Sequence, residues 1–347
     1  MESIKQRISN FNTLYKAMQD CERGVSWKPS VIRYASNGLL NTEKLSKELI
    51  NGTYSMGKQI EFYVYEPKKR KVSAMKFRDR QAQKALVANY LANEISRHFI
   101  YDNYACQTGK GTTFARKRMK VMFLKAYRMW GTNAYAYTFD IRNFFGSTPH
   151  NVAKAAVGKR IRDDWAKQMV FQTIDSMSGE AGIGLGSEES QFIEIAVLDG
   201  IDHFIKEKLK VKLYGRYMDD FVIIDNGKGR MKEYATQIEK EVNKRGLELN
   251  TKKCNILPLT KGFEWNGFKY RMTDTGKVLM TVPKKKINQK KRKLKKMVRI
   301  AKRGVITRKD CDESLRSWLA HIQVGNCHNT RLKMIKYYKN LWRDENV

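Results

Sequence analysis

Two adjacent aspartates, Asp219 and Asp220, interrupt a largely apolar run between Leu213 and Ile224. The run predicts two short strands joined as a β-hairpin, with both acids at the turn. Neighbouring carboxylates are disfavoured there because they repel each other and because aspartate has a low strand propensity. A bound cation would offset both costs, so this hairpin predicts a metal-dependent site.

A third acid, Asp140, ends a second β-rich run at 135–141. Nucleotide polymerisation uses two divalent ions about 3.5 to 4 Å apart, one at the primer hydroxyl and one at the triphosphate. Mg²⁺ prefers hard oxygen ligands, and a few aspartates held by a sheet suffice to bind it. Asp140, Asp219 and Asp220 therefore predict a centre for two Mg²⁺ ions, in which Mn²⁺ is able to substitute.

The charge of the chain points to a polyanionic partner. Its 347 residues include 68 Lys and Arg against 35 Asp and Glu, which gives a net charge of +33. Self-repulsion on this scale is costly unless a polyanion neutralises it, and nucleic acid is the usual polyanion for a soluble protein. Hydrophobic residues make up 41% of the chain, which is enough for a packed core and argues against general disorder.

Cysteine usage and hydropathy predict a cytoplasmic location. The five cysteines are odd in number and widely scattered, which fits neither a disulfide framework nor paired zinc knuckles. The N-terminus is polar, and no run approaches the ~18 apolar residues of a membrane-spanning helix. We therefore expect a cytoplasmic protein with no membrane partner.

The periodicity of the apolar residues predicts an α+β chain. Two strands are expected around a basic turn within 62–72, and a strand-like segment is expected at 247–249. Helices are predicted over 1–60, 79–95, 150–177, 188–210 and 231–243. Helices and strands therefore alternate on both sides of the paired aspartates, as in an α+β palm.

The segment 284–303 differs in composition from the rest of the chain. It contains twelve Lys or Arg residues and no acid, and its apolar residues recur at helical spacing. A solvated charged face usually mixes signs, so this segment predicts an amphipathic helix whose cationic face contacts a nucleic-acid backbone. The candidate contacts are Lys284, Lys285, Lys290, Lys291, Arg292, Lys295 and Lys296.

Lys110 lies in a glycine-containing segment, Gly109-Lys110-Gly111-Thr112. A phosphate-binding P-loop does not fit, because Tyr104 stands where the first glycine belongs and Gly111 where Ser or Thr belongs. The segment is better interpreted as a loop whose backbone approaches nucleic acid closely.

The residues around the paired aspartates carry a family resemblance. The hairpin reads Tyr217-Met218-Asp219-Asp220, which resembles the YxDD turn in the palm of reverse transcriptases. Other segments resemble motifs of that family in the same order along the chain, at 139–145, 184–191, 246–253 and 263–268.

The resemblance implies a right-hand polymerase fold of the α+β class, with fingers, a palm containing an antiparallel sheet, and a helical thumb. The implied divisions are an N-terminal helical extension at 1–60, fingers at 61–134, a palm at 135–270 and a basic helical thumb at 271–347.

The resemblance also implies roles in catalysis. Asp140 and Asp219 would bridge the two metal ions, Asp220 would assist, and the carbonyl of Ile141 would complete one coordination shell. Lys253 would protonate the pyrophosphate leaving group, although Lys252 is its neighbour in sequence.

Further roles concern the nucleotide and the primer. Lys68 and Arg70 match residues that clamp the triphosphate, and their alternative is a solvated charged turn. Phe145 matches the bulky gate that excludes a ribose 2′-hydroxyl, and its alternative is core packing. The template-facing motif adds Leu185, Gly186 and Gln191, and the primer grip consists of Trp265, Asn266 and Gly267.

Within the family, the chain most resembles the compact reverse transcriptases of bacterial and phage diversity-generating retroelements. The similar segments lie at 63–68, 77–80, 104–112, 190–191 and 317–329. Leu185 stands where accurate relatives have glutamine. The resemblance implies an error-prone enzyme that copies a dedicated template RNA into cDNA, with dNTPs, the RNA–DNA hybrid and a small basic accessory protein as partners.

Glu188 and Glu189 depart from that group. Two acids near a template backbone are unfavourable unless they face away or contact base edges. An alternative is a defence-associated bacterial reverse transcriptase, which makes cDNA from a noncoding RNA during phage infection. A third alternative is a catalytically inactive RNA-binding scaffold, against which the intact aspartates argue.

Overall fold

The computed structural model describes residues 2–65 and 70–343. Within these ranges the α-helices are α1 (Ile4–Ser9), α2 (Phe11–Glu22), α3 (Pro29–Ala35), α4 (Gly38–Asn51), α5 (Phe77–Leu86), α6 (Ala92–Ser96), α7 (Thr112–Trp130), α8 (Phe144–Ser147), α9 (His150–Gly158), α10 (Asp164–Asp175), α11 (Glu188–His203), α12 (Lys228–Asn243), α13 (Lys284–Lys302), α14 (Arg308–Ile322) and α15 (His328–Arg343). The strands are β1 (Ile60–Val64), β2 (Arg70–Ala74), β3 (Tyr135–Asp140), β4 (Leu213–Tyr217), β5 (Asp220–Asp225), β6 (Asn255–Pro258), β7 (Phe263–Trp265), β8 (Phe268–Met272) and β9 (Val278–Thr281).

The pairing of the strands brings the predicted acidic residues toward one another. β1 and β2 form an antiparallel hairpin, and β7, β8 and β9 form an antiparallel sheet in that order. The remaining strands form a sheet with the order β4-β5-β3-β6. Because β5 begins at Asp220 and is the neighbour of β3, which ends at Asp140, the sheet order places acids that are distant in sequence on neighbouring strands.

The chain divides into two compact units. The first comprises the described residues of Met1–Ala115, Phe139–Phe221 and Glu233–Lys252. The second comprises those of Arg116–Thr138, Val222–Lys232 and Lys253–Val347. The predicted boundaries after residues 60, 134 and 270 stay predictions. In the described part of both units, no helix is long and apolar enough to cross a membrane.

Most of the predicted elements are confirmed. The N-terminal helices, the strands around the basic turn, the hairpin of the paired aspartates and the basic helix α13 all form. The long helix predicted over 79–95 contains a π-helical stretch, Val87–Leu91, between α5 and α6. The strand-like segment at 247–249 was wrong as a strand, because it makes only an isolated bridge, Ile141 to Leu249.

In the second unit, apolar side chains fix α7 and α13 in different ways. Phe123 of α7 stacks on Phe263 of β7, with ring centroids 5.8 Å apart. Leu294 and Val298 of α13 are fully buried. They share a core cluster with residues of α14 and α15, so these three helices form one packed group.

In the first unit, Glu189 is a fully buried acid at the start of α11. The Thr173 hydroxyl of α10 lies 3.3 and 3.1 Å from its two carboxylate oxygens. The side-chain amide of Gln83, on α5, donates to Thr173 Oγ1 at 3.1 Å and hydrogen-bonds to Glu189. Burial raises the pKa of Glu189 to about 8, although both hydrogen bonds oppose the shift.

Glu188 has a different environment from its neighbour. Its carboxylate lies half-exposed and forms an ion pair with Lys84 Nζ of α5 at 2.6 Å. Glu188 is therefore neutralised by Lys84. Glu189 is buried among α5, α10 and α11, where its raised pKa favours the uncharged form.

We predict that Glu189 makes the stability of the fold depend on pH. Between its ordinary pKa of 4.5 and about 8, the folded protein keeps a proton that the unfolded chain has lost. The free energy of unfolding should therefore fall as pH rises through this window, by at most about 1.4 kcal/mol per pH unit from this group. Urea unfolding of the wild type and Glu189→Gln at several pH values measures the difference, which should grow in favour of Glu189→Gln with rising pH.

The matched control is Glu188→Gln, which removes a neighbouring charge that is half-exposed and paired. This control should keep the pH dependence of the wild type. Equal pH dependence in the wild type and Glu189→Gln would contradict the assignment of a raised pKa to Glu189.

Candidate active site

Asp140 is fixed at the end of β3 by a segment that follows α12. Its backbone carbonyl accepts a hydrogen bond from the Asn250 amide at 2.8 Å. Its Oδ1 accepts a second from Asn250 Nδ2 at 3.3 Å. Ile141, the next residue, is bridged to Leu249 and is buried. With only 4% of its surface exposed, Asp140 has a defined position at the end of strand β3.

Asp219 and Asp220 lie at the turn between β4 and β5, as predicted. Met218 and Asp219 form the turn, and Asp220 is the first residue of β5. Met218 has a φ of 53°, a left-handed conformation that is uncommon for a residue other than glycine. Its carbonyl accepts a hydrogen bond from Arg216 Nη1 at 2.9 Å, which holds the strained residue in place.

Arg216 is a fully buried cation directly before the turn. Its Nε donates to Asp202 Oδ1 at 2.7 Å, and its Nη2 donates to Asp202 Oδ2. The hydroxyl of Tyr214 donates to the same carboxylate. Because Asp202 belongs to α11, this buried ion pair ties β4 and the turn of Asp219 and Asp220 to that helix.

The backbone of Arg216 is paired with a neighbouring loop. Its amide donates to the Asp102 carbonyl at 3.0 Å, and its carbonyl accepts from the Tyr104 amide at 2.9 Å. A Cβ on Gly215 would lie 2.3 Å from the Tyr104 hydroxyl oxygen. Glycine is therefore the only residue type that fits at position 215.

An aromatic pair joins β3 to β5 next to the acids. The rings of Phe139 and Phe221 stack with centroids 4.4 Å apart and an interplanar angle of 15°. Both side chains are buried. The stack thus fixes the residue before Asp140 against the residue after Asp220.

The donor chemistry of the three aspartates fits Mg²⁺, which prefers carboxylate oxygens. Within residues 2–65 and 70–343, no three His, Cys, Asp or Glu side chains are arranged so that they alone could hold a metal ion. Polymerase Mg²⁺ is commonly held by one or two carboxylates together with water and substrate phosphates, rather than by an all-protein cage. The residues present are therefore compatible with ions that arrive with the nucleotide.

Glu194 is a second buried acid of α11, close enough to Asp219 to interact with its charge. Burial, reinforced by Asp219, raises the pKa of Glu194 well above its ordinary value, although the hydrogen bond with Thr148 opposes the shift. Glu194 Oε2 lies 2.8 Å from Thr148 Oγ1, and the Thr148 hydroxyl lies 3.0 Å from the Phe144 carbonyl. The Thr148 hydroxyl is therefore placed to donate either to Glu194 Oε2 or to the Phe144 carbonyl.

Phe145 is the next residue after Phe144, whose carbonyl lies within hydrogen-bond distance of the Thr148 hydroxyl. It is half-buried, whereas its neighbour Phe144 is buried in the core. Its carbonyl accepts a hydrogen bond from the Ile183 amide at 2.7 Å. Phe145 is thus attached by its backbone to the segment that leads to Leu185 and Gly186, and its gating role stays a prediction.

The template-facing motif has one residue that geometry restricts. Gly186 has a φ of 124°, which disfavours any side chain there. Leu185 beside it is half-buried, and Gln191 Oε1 accepts a hydrogen bond from Cys106 Sγ at 2.9 Å. Of the triphosphate candidates, Lys68 lies outside the described residues, and Arg70 is described only by its backbone at the start of β2.

The predicted primer grip is a tight hairpin turn in the second unit. Asn266 and Gly267 connect β7 to β8 with φ values of 42° and 85°, the left-handed pair that a two-residue hairpin requires. Trp265 before the turn is 3% exposed. The Gly267 carbonyl accepts a hydrogen bond from Lys286 Nζ at 3.3 Å, which links the turn to α13.

The cationic residues of α13 do not all face outward. Lys290 Nζ donates to the carbonyl and the hydroxyl of Ser314 at 2.7 and 2.8 Å, and burial lowers its pKa to about 8. Lys291 Nζ lies 5.1 Å from the centroid of the Tyr337 ring. Both therefore dock α13 on its neighbours. The exposed candidates are Lys284, Lys285, Arg292, Lys295 and Lys296.

The two remaining lysine candidates have different environments. Lys110 Nζ donates to the carbonyls of Tyr101 and Asn103 at 2.9 and 3.0 Å, so it stabilises its own loop. Lys253 is exposed in the turn before β6. Their roles at nucleic acid and at the leaving group stay predictions.

Three residues that organise the site were missed by sequence reasoning: Arg216, Asp202 and Asn250. Arg216 had a signal, because a charged residue inside an apolar strand requires a buried partner. Asn250 lies within a recognised motif, but nothing in the pattern indicates that it bonds to Asp140. Asp202 is one of several acids in α11, and the sequence does not distinguish it from them.

The fold is shared with structures of telomerase. Telomerase from Candida albicans, in complex with a TWJ fragment of telomeric RNA, is 9% identical with a TM-score of 0.52, and the match covers 87% of this chain and 63% of that one. Apo telomerase from Candida tropicalis, truncated from the C-terminal domain, is 12% identical with a TM-score of 0.50, covering 70% of this chain and 60% of that one. The chain thus spans less than two thirds of each telomerase chain, and at these identities the likeness concerns the right-hand polymerase fold alone.

No curated protein matches the chain by sequence. A family model described as reverse transcriptase (RNA-dependent DNA polymerase) matches residues 64–270, which is more than half of the chain and includes every aspartate of the candidate site. The buried support around those aspartates and this match lead to the same conclusion. The chain belongs to the reverse transcriptase family of RNA-directed DNA polymerases.

Proposed function

We propose that this RNA-directed DNA polymerase copies a dedicated RNA into cDNA as the error-prone enzyme of a diversity-generating retroelement. The observation that carries the proposal is Leu185, a half-buried apolar residue beside the geometrically restricted Gly186. Leucine offers the incoming nucleotide no hydrogen bond, whereas glutamine would couple sugar position to correct pairing. Mispairs should therefore be penalised less.

In the proposed mechanism, Asp140 and Asp219 would hold the divalent ions, and Asp220 and the carbonyl of Ile141 would assist. The chemistry that bound Mg²⁺ supplies is activation of the primer 3′-hydroxyl and neutralisation of the triphosphate. Asn250 keeps the Asp140 carboxylate in position through its hydrogen bond. Arg216 does the same for the turn of Asp219, through the Met218 carbonyl.

Other residues would position the substrates. Phe145 would exclude the ribose 2′-hydroxyl, and Lys68 and Arg70 would neutralise the triphosphate. Gly186 and Gln191 would line the nucleotide and template site. The turn of Trp265, Asn266 and Gly267 would hold the primer end, and Lys253 would protonate the leaving pyrophosphate.

The proposed partners are a template RNA, the RNA–DNA hybrid and dNTPs, together with a small basic accessory protein in the cytoplasm. The exposed lysines of α13 support the nucleic-acid part, because they form a cationic face with no acid in the helix. The inward contacts of Lys290 and Lys291 leave that face to the other cations of α13.

A second candidate function is a defence-associated reverse transcriptase that uses one noncoding RNA. Glu188 and Glu189 favour it, because they depart from the diversity-generating group. Glu188 is paired with Lys84 and Glu189 is buried, so neither acid excludes a template nearby. The products of the enzyme distinguish the two.

We predict that Asp219→Asn abolishes Mg²⁺-dependent dNTP incorporation. Asparagine keeps the shape of the side chain but loses the charge that would bridge two ions, which should cost several kcal/mol, or roughly 10³-fold in rate. Primer extension on an RNA template measures the loss, and RNA affinity should be unchanged. Asp164→Asn, an exposed acid paired with Lys167, is the control. Extension by Asp219→Asn at the wild-type rate would remove Asp219 from the metal site.

We predict that Phe145→Ala admits ribonucleotides. Loss of the ring should raise kcat/KM for rNTPs relative to dNTPs by roughly tenfold or more, since the wall against the 2′-hydroxyl is gone. Single-nucleotide incorporation measures the ratio. Phe145→Tyr keeps the ring and should keep the discrimination. An unaltered ratio in Phe145→Ala would mean that Phe145 only packs.

We predict that Leu185→Gln lowers the error rate of cDNA synthesis, because the amide restores a hydrogen bond that favours correct geometry. Deep sequencing of cDNA made on an RNA with all four bases measures the errors. In the wild type they should concentrate opposite adenine, and Leu185→Met should preserve them.

The same experiment separates the two candidate functions. Uniformly low errors in the wild type would contradict the diversity-generating proposal and leave the family assignment intact. Products derived from one partner RNA, as repeats or homopolymer, would favour the defence alternative.

A further inference from the structure

Helix α7 is a second basic helix, and the proposed mechanism does not use it. It contains six Lys or Arg residues and no acid. One side is buried: Met119, Phe123 and Ala126 are 0% exposed, and Phe123 stacks on Phe263. The other side is open to solvent, so α7 has a fixed inner face and a free outer face.

The outer face forms a straight cationic stripe. At 100° per residue, Lys117, Lys120, Leu124 and Arg128 fall within an arc of about 80°, and Lys125 lies about 60° beyond that arc. All four cations are exposed, and Leu124 is 46% exposed. With a rise of 1.5 Å per residue, the stripe is ~16 Å long, the axial length of about five phosphates on one strand of a duplex.

Some exposed lysines outside α7 have acidic partners three or four residues away, although those of α13 do not. Lys47 pairs with Glu43 and Lys244 with Glu241. In the part of the chain that the structure describes, none of the stripe cations forms an ion pair with an acidic side chain. A face evolved only for solubility would gain from such pairs, whereas a face for a polyanion is weakened by them.

The chemistry of the stripe selects its partner. Phosphates repeat regularly and match a row of guanidinium and ammonium groups, while the exposed Leu124 and Met129 add apolar contact to sugars. A basic accessory protein would be repelled by the same row.

We propose that the outer face of α7 binds the phosphate backbone of a folded part of the enzyme's own RNA, apart from the strand being copied. This inference rests on the proposed function for the existence of a dedicated RNA. The face binds by charge and spacing, and it takes no part in nucleotide addition.

The test uses the full chain with Lys117, Lys120, Lys125 and Arg128 all changed to Gln. The matched control changes Lys16, Arg33, Lys44 and Lys208 to Gln, which removes the same charge from exposed positions on other helices. Affinity for a short fluorescent RNA stem–loop without primer is measured over a range of salt concentrations. Primer extension on a separate RNA oligonucleotide with a DNA primer is measured in parallel, and circular dichroism checks folding.

The α7 variant should lose about tenfold in stem–loop affinity, and the slope of log affinity against log salt should become shallower by about 3, since roughly four phosphate contacts are removed. The control should lose about twofold, and primer extension should be unchanged in both. Equal losses in the two variants would reduce the effect to net charge and overturn the proposal. Loss of primer extension in the α7 variant would overturn it as well, because the face would then belong to the template–primer site.

Failure of the proposed function has a different signature. If wild-type products do not derive from a dedicated RNA, the stem–loop measurement still reports whether α7 binds folded RNA. If stem–loop binding does not depend on α7, the polymerase assignment is unaffected.

Discussion

The geometry of the turn that carries Asp219 and Asp220 depends on one buried ion pair, between Arg216 and Asp202. The guanidinium bonds to Asp202 of α11 and to the Met218 carbonyl, while its backbone pairs with the loop at Asp102 and Tyr104. One residue of β4 thus links α11 and the turn through its side chain and the neighbouring loop through its backbone. Removing either partner would leave an uncompensated buried charge, a loss of about 3 to 5 kcal/mol. The two aspartates can remain adjacent at a strained turn because Arg216, fixed by Asp202, donates a hydrogen bond to the Met218 carbonyl of that turn.

The elements that carry chemistry could be predicted from the sequence, because their patterns are local. Short, largely apolar runs on both sides of Asp219 and Asp220 leave few structures other than a hairpin, and the spacing of Leu294 and Val298 sets the inner face of α13. The sheet order β4-β5-β3-β6 was not predicted from the sequence. Periodicity describes an element but not its neighbours.

The supporting contacts could not be predicted for that reason. Asn250 reaches Asp140 across 110 positions in sequence, and Glu189 meets Thr173 and Gln83 from two other helices. Lys290 has the same composition signal as the exposed lysines beside it, yet its ammonium bonds to Ser314 on α14. Which residue of a charged run turns inward is decided by the shape of the neighbouring helix. A single sequence does not encode that shape in any local pattern.

Helices α7 and α13 each present a cationic face without acids. Because of these faces, a rise in ionic strength should stabilise the free protein and weaken the proposed complex with RNA. At physiological concentrations salt screens charges that lie more than roughly 8 to 10 Å apart. It therefore reduces repulsion among the cations and stabilises the fold in the absence of nucleic acid. Binding to nucleic acid releases counterions from the phosphates, and this release becomes less favourable as the salt concentration rises, so binding weakens. Conditions that stabilise the isolated protein would therefore dissociate the proposed complex with RNA, so the stability of the one would be no guide to the stability of the other.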